Sequence, residues 1–156
     1  MTTVLKGRNL TPGRAEGEAI VSQQRFCFIR WQVDALTGEP THPDCALVGK
    51  KLTGKVLVFS TGWANTGGGA MLLDSIKHGT APIAFVNREA ETQYVACSIL
   101  GELLYGKKFP IVDRLDTDPL KAIKTGDHVV VDGNTGLVEI TPRDQRPPKF
   151  RIENAP

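Results

Sequence analysis

Long apolar runs are missing from this chain of 156 residues. No stretch approaches the roughly 20 apolar residues that a membrane span requires. The opening Met1-Thr-Thr-Val-Leu-Lys6 holds neither an apolar signal core nor a cleavage-site pattern, so a cytoplasmic setting is the expectation. Aromatic residues are scarce at 6%, and the formal charge is only +2 with the basic residues scattered. A nucleic-acid binder would show a basic stripe or base-stacking aromatics, and neither is here. Cysteine is limited to Cys27, Cys45 and Cys97, an odd number, widely spaced and without a Cys-x-x-Cys pair. That pattern points to reduced, partly buried thiols. It lacks the short-spaced pairs of zinc and iron–sulfur sites, so no metal is expected to be held by this chain alone.

What the chain does have is the make-up of one soluble domain, 40% hydrophobic and 23% charged, long enough to bury a true core. Its most informative stretch is Ser60-Thr-Gly-Trp-Ala-Asn-Thr-Gly-Gly-Gly69. This joins the strand-like Lys55-Val-Leu-Val-Phe59 to the helix-like Ala70-Met-Leu-Leu-Asp-Ser-Ile-Lys77. Such a loop can bring backbone N–H groups, an amide and hydroxyls to an anion, with the following helix N-terminus adding partial positive charge. Glycine-rich turns of this kind also arise for tight packing alone, and on the residues by themselves that is the simpler reading.

The first third reads as β structure with long connections. Val4-Leu5, Glu18-Ala-Ile-Val21 and Phe26-Cys-Phe-Ile29 are strand candidates, Leu10-Thr-Pro-Gly13 is a turn, and Thr37–Val48 is a surface loop. The middle alternates: Ile83-Ala-Phe-Val86 has the unbroken apolar pattern of a parallel strand covered on both faces. Glu91–Leu104 is a second helix ending near Gly106, and Phe109-Pro-Ile-Val112 is another strand. Pro119–Ile123 fits a single helical turn. His128-Val-Val-Val131 and Leu137-Val-Glu-Ile140 flank the hairpin signal Asp132-Gly-Asn-Thr-Gly136. Residues 141–156, rich in charge and proline, are expected to be a poorly packed extension. The whole is an α/β chain, one compact domain with peripheral strands, for which a barrel is one arrangement.

Several pieces, in this order, carry a family resemblance: Gly13-Arg-Ala-Glu-Gly-Glu-Ala19, Val33-Asp34 with Thr37-Gly38, His42-Pro43, Leu52-Thr-Gly-Lys-Val-Leu-Val-Phe59, Gly79-Thr-Ala-Pro82, Pro110-Ile-Val-Asp113, Thr125-Gly-Asp127 and Asp132-Gly133. In these the chain resembles the small subunit, or swivel domain, of the aconitase-X group of hydro-lyases. That group includes phosphomevalonate dehydratases and cis-3-hydroxy-L-proline dehydratases. The resemblance runs from about Lys6 to Ile140. It implies a swivelling β/β/α barrel over residues 1–140, a larger catalytic subunit as partner, a small anionic substrate, and an iron or iron–sulfur centre in that larger subunit. It also implies a serine base in the loop after the central strand, within Gly-Ser-Ser or a close variant. Here Ala64-Asn65-Thr66 stands in its place, followed by Gly67-Gly68-Gly69.

A carboxamide cannot serve as a base near neutral pH. Asn65 therefore cannot do the work of the expected serine, and Thr66 is the one hydroxyl in the central part of the loop. Three readings stay open. Thr66 acts as the base with Asn65 orienting the substrate; the base comes from the large subunit while Gly67, Gly68 and Gly69 let the backbone approach an anion; or the chain is a binding or regulatory module that has lost the reaction. An independent enzyme such as an isomerase lacks support, for want of an acid/base pair. Arg88, just past a buried-type strand, is a candidate carboxylate clamp. Arg14 is a candidate to line the site, or with Glu16 to brace a turn. Trp63 is expected to meet the partner or to shield substrate from water. His42, His78 and His128 have no metal-ligand spacing.

Overall fold

A computed structural model describes residues 1–63 and 66–146. Its strands are β1 (Thr3–Lys6), β2 (Arg8–Thr11), β3 (Arg14–Val21), β4 (Val56–Phe59), β5 (Ala84–Asn87), β6 (Ile111–Asp113), β7 (His128–Asp132) and β8 (Leu137–Thr141). The helices are α1 (Thr66–His78), α2 (Thr92–Tyr105) and the single turn α3 (Pro119–Ala122). The strands form one eight-stranded sheet in the order β1-β8-β7-β3-β4-β5-β6-β2. The four from β3 to β6 are parallel and the outer pairs antiparallel.

The edge strands β1 and β2 stand at opposite ends of that order, yet only Gly7 separates them in the chain. A flat sheet cannot satisfy both facts, so the sheet curls until its edges meet and closes as a barrel. Gly7 extends the β1–β8 ladder by donating its N–H to the Gly136 carbonyl at 2.8 Å, and the chain passes there directly into β2 on the other edge. A Cβ there would stand 2.6 Å from the Asp113 carbonyl oxygen, which is why glycine occupies the position.

Strand alternation divides the core in two. Val56 and Val58 of β4, Ala84 and Val86 of β5, Val112, Val129 and Val131 fill the inside with small β-branched and alanine side chains. The alternate residues Leu57, Phe59, Phe85 and Ile111 point outward and are covered by α1, α2 and the segment around Phe26–Val33. This two-sided burial explains the unbroken apolar reading of these strands.

Several sequence expectations need correction. Phe26–Ile29 forms no strand; it is an irregular stretch running into turns, with Trp31 N–H donating to the Cys27 carbonyl and Val33 N–H to that of Phe28. Its apolar character serves aromatic packing, since Phe26 and Phe28 sit edge-on to each other and against Phe59, Phe85 and Tyr94. Strand β2, which the sequence reading lacked, ends at Thr11, just before Pro12, and pairs with β6 across a bulge. Helix α1 begins at Thr66, so the three glycines form its first turn and are not part of a loop. The Thr37–Val48 loop lies over the body but buries Cys45 and Leu47. Of the extension 141–156, Thr141 completes β8 and Arg143–Gln145 make a 3₁₀ turn tied by the Arg143 N–H to the Asp127 carboxylate. Residues 147–156 lie outside the described residues.

Candidate functional site

In an open parallel sheet, ligands meet the carboxyl edge of the strands. Here that edge is formed by Phe59, Asn87 and Asp113, which are neighbours in register, and by the three connections that follow them. The connection after β4 is pinned at every described step. Thr61 accepts from the Phe26 N–H, the Gly62 carbonyl takes two N–H groups of Arg25 at 3.0 and 2.7 Å, and Trp63 accepts from the Gln93 amide. Trp63 rests on Trp31, with ring centroids 5.6 Å apart, and beneath the Arg25 guanidinium. It is therefore held within this chain, and the rim of the loop is rigid up to residue 63. Ala64 lies outside the described residues, as does Asn65, one of the two catalytic candidates. Thr66 is exposed as the first residue of α1, and the first turn carries no acidic side chain that would repel an anion.

Gly68 and Gly69 are buried. A Cβ on Gly68 would stand 3.2 Å from Cys27 Sγ and 3.3 Å from the Tyr94 hydroxyl; one on Gly69 would stand 3.0 Å from Cys97 Sγ and 3.2 Å from Gln93. These two glycines thus let α1 pack close against α2 and the Phe26–Phe28 segment, which accounts for them without any ligand. Gly67 is half-buried between them and Thr66. Tyr94, at the centre of this contact, accepts a hydrogen bond from the Phe28 N–H at 3.2 Å, and burial pushes its hydroxyl far above the usual phenol value. It is a neutral packing residue. Gly69→Ala is expected to cost about 1–2 kcal/mol through overpacking against Cys97, read as a lower melting temperature; an unchanged melt would show that the two helices give way freely.

The connections after β5 and β6 carry Arg88 and Arg114, and Arg8 of β2 reaches the same edge; each of these half-exposed arginines is paired with an acid. Arg8 meets the fully buried Asp113 at 2.9 and 2.8 Å, and Asp113 also accepts from the Ala90 N–H. Arg88 holds Asp118 at 2.8 and 2.7 Å, and Arg114 holds Glu89 at 2.8 Å. The Arg88 fork and the Leu120 N–H hold the Asp118 carboxyl below the usual range, while Asp118 raises Arg88 in turn. Arg88 is therefore occupied: it can clamp a substrate only by exchanging Asp118 for the substrate's carboxylate or phosphate. Arg114 sits at φ 48°, left-handed backbone that a non-glycine residue adopts at a cost. Between these pairs lies Asn87, 1% exposed, whose amide nitrogen and oxygen both lack a hydrogen-bond partner in the structure.

Arg14 is not brought to this edge. It opens β3, whose other end, Val21, pairs with Val58 near the loop. Seven residues at about 3.3 Å each place it roughly 23 Å away, at the amino edge of the sheet. Two of the histidines make local structural contacts: His42 leans on Trp31 and accepts from the Asp44 N–H, and His78 sits in the last turn of its own helix near Asp74. The three thiols are buried and free. Among the described residues no group of three or more His, Cys, Asp or Glu side chains is placed to hold a metal ion. Nor is any described helix long and apolar enough to cross a membrane. The sequence reading overlooked Arg8 and Arg114 and gave Asp113 no role in a site. The one local signal was an acid ending a buried strand, since the Arg8 partner is 105 residues distant.

A barrel whose parallel strands deliver a glycine-containing turn and a helix N-terminus to one edge is the architecture of a swivel domain. Residues 4–140 match the model of the aconitase X swivel domain, and the chain belongs to that family. It is 37% identical over 136 residues to the phosphomevalonate dehydratase small subunit of Methanosarcina acetivorans, covering 87% of this chain and 90% of the relative. With the protein of the same name from Methanocaldococcus jannaschii it shares 40% over 136 residues, covering 87% and 96%. The crystal structure of Thermococcus kodakaraensis aconitase X in its holo form superposes with a TM-score of 0.78 at 36% identity, over 90% of this chain and 99% of that one.

Proposed function

We propose that this chain is the small, swivelling subunit of a cytoplasmic aconitase-X-type dehydratase that acts on a phosphomevalonate-like hydroxy acid. The observation that carries the reading is the exposed Thr66 at the start of α1, one residue beyond the position where the family places its serine. In such a reaction a base takes the proton from the carbon beside the carboxylate, the hydroxyl on the next carbon leaves as water once protonated, and a C=C bond forms. Thr66 is the chain's candidate for the proton-transfer step, Asn65 orients the substrate beside it, and the backbone at Gly67 faces the same ligand. Gly68 and Gly69 contribute by letting α1 reach its position. Arg88 exchanges Asp118 for the substrate's anionic end. Iron or an iron–sulfur centre belongs to the larger subunit.

Energetics explain why the partner is required. An aliphatic hydroxyl resembles water and ionises only far above neutral pH, so ionising it at pH 7 costs on the order of 12 kcal/mol. A helix N-terminus returns at most about 2 kcal/mol. The remainder has to come from cations and water exclusion supplied when the two subunits close. The isolated chain is accordingly expected to show no dehydratase turnover, and activity should appear only on mixing with the aconitase-X-type larger subunit of the same organism. Turnover by the purified chain alone would overturn this reading, as would a mixed complex that binds phosphomevalonate but never dehydrates it.

A further inference from the structure

Helix α2 is apolar on two sides. Tyr94, Cys97, Ser98 and Gly101 face α1 and the sheet. On the outer side Ile99, Leu100, Leu103 and Leu104 are 52, 39, 76 and 57% exposed. Their spacing of three and four residues puts them on one continuous stripe. Other exposed large apolar residues, such as Val4, Leu36 and Val48, are dispersed through the chain. The stripe presents on the order of 500 Å² of apolar surface, the size at which a patch marks an interaction site. It would supply more than half of the about 800 Å² that one partner contributes to a standard interface.

We infer that the outer face of α2 is the docking surface for the larger subunit of the complex proposed above, and the inference rests on that reading. Geometry favours this occupant. The amino end of α2 adjoins the site, where Gln93 bonds the Trp63 carbonyl and packs on Gly69. A partner that completes the site must cover this end, and the exposed Thr92 and Ala96 lead from it directly onto the stripe. The helix has 14 residues and runs about 21 Å, so one continuous contact reaches from the site to its far end. Polar residues border that end: Lys107 caps the carbonyls of Ile76 and Lys77, and Lys108 lies near Glu102. This is the rim that surrounds an apolar interface centre. The apolar stripe anchors the small subunit while the loop side closes over substrate.

The test uses the full chain and the aconitase-X-type larger subunit of the same organism. The L100E/L103E variant alters only exposed side chains and should melt as the wild type does. Its Kd for the larger subunit should rise at least about 100-fold, as expected when two anchors of an interface centre are charged. Leu36→Glu, at an exposed position in another segment, should bind normally. Normal binding by L100E/L103E would overturn the inference. So would a homodimer of the wild-type chain that the double variant dissolves while the mixed complex persists, because the stripe would then serve a second copy. Failure of the wild-type chain itself to bind the larger subunit would overturn both this inference and the function proposed above, whereas a mixed complex that assembles through the stripe but lacks turnover would overturn only the latter.

Discussion

In the assembled enzyme, Thr66→Val is expected to lower kcat by about 10²- to 10⁴-fold, the range for loss of a positioned proton-transfer group. That corresponds to about 3–5 kcal/mol of lost transition-state stabilisation. Valine keeps the branched shape at an exposed helix start, so folding and assembly should be unaffected and KM should change little. Thr66→Ser retains the hydroxyl and should keep most of the activity. Asn65→Ser restores the hydroxyl that the family places one residue earlier, and in the Thr66→Val background it should recover part of the lost rate. These variants separate the readings of the loop by their pattern. A proton-transfer role gives a kcat loss in the valine variant and rescue by serine. An anion-binding role with the base on the partner gives a raised KM at unchanged kcat. If neither parameter moves, this chain contributes no reacting group.

The helix N-terminus matters to this expectation through position more than through magnitude. Its contribution is a small part of what an alkoxide needs, so an activity loss in Thr66→Val would report a hydroxyl embedded in a larger electrostatic arrangement assembled from both subunits. Gly68 and Gly69 enter only indirectly. Their contacts with Cys27, Tyr94, Cys97 and Gln93 set where α1 starts, and hence where Thr66 stands.

Local signals were enough for some elements and useless for others. The β7–β8 hairpin followed from Asp132-Gly-Asn-Thr-Gly136, and the end of α2 from Gly106, which takes the left-handed conformation at φ 65°. Pro119 at a first-turn position marked α3, and the structure adds the Asp118 carboxylate accepting from the Leu120 N–H. Phe26–Ile29 misled because aromatic density resembles a strand, whereas its partners are rings from β4, β5 and α2. The packing role of Gly68 and Gly69 was hidden because Cys27 and Cys97, against which they sit, are distant in sequence. Closure of the barrel through Gly7 depends on a strand order that no local pattern encodes. The site followed the same division. The connection after β4 and the strand end at Asn87 and Arg88 were legible locally, whereas the Arg8–Asp113 pair and the unpartnered burial of Asn87 were not, since pairing across 105 residues and burial without a partner are properties of the folded chain.

The second large effect concerns that hidden pair. Asp113 ends β6 with no exposed side-chain surface, and its carboxylate accepts the Arg8 fork and the Ala90 N–H together. It thereby fastens β2 to β6 and holds the start of the segment leading into α2. Asp113→Ala would leave the Ala90 N–H without its acceptor and remove two charge-assisted bonds, for a cost of about 3 kcal/mol. For a chain of this size that lowers the melting temperature by roughly 6–12 °C. Arg8→Ala should cost a comparable amount by a different route, because it strands a carboxylate in the interior with one remaining donor. The double variant is then expected to be less destabilised than the sum of the two, since removing both partners leaves no buried charge uncompensated. Additive losses would show that Arg8 acts from solvent as an ordinary surface charge. The two outcomes also differ in salt dependence: a partly buried fork resists screening, so the wild-type melting temperature should respond little to added salt.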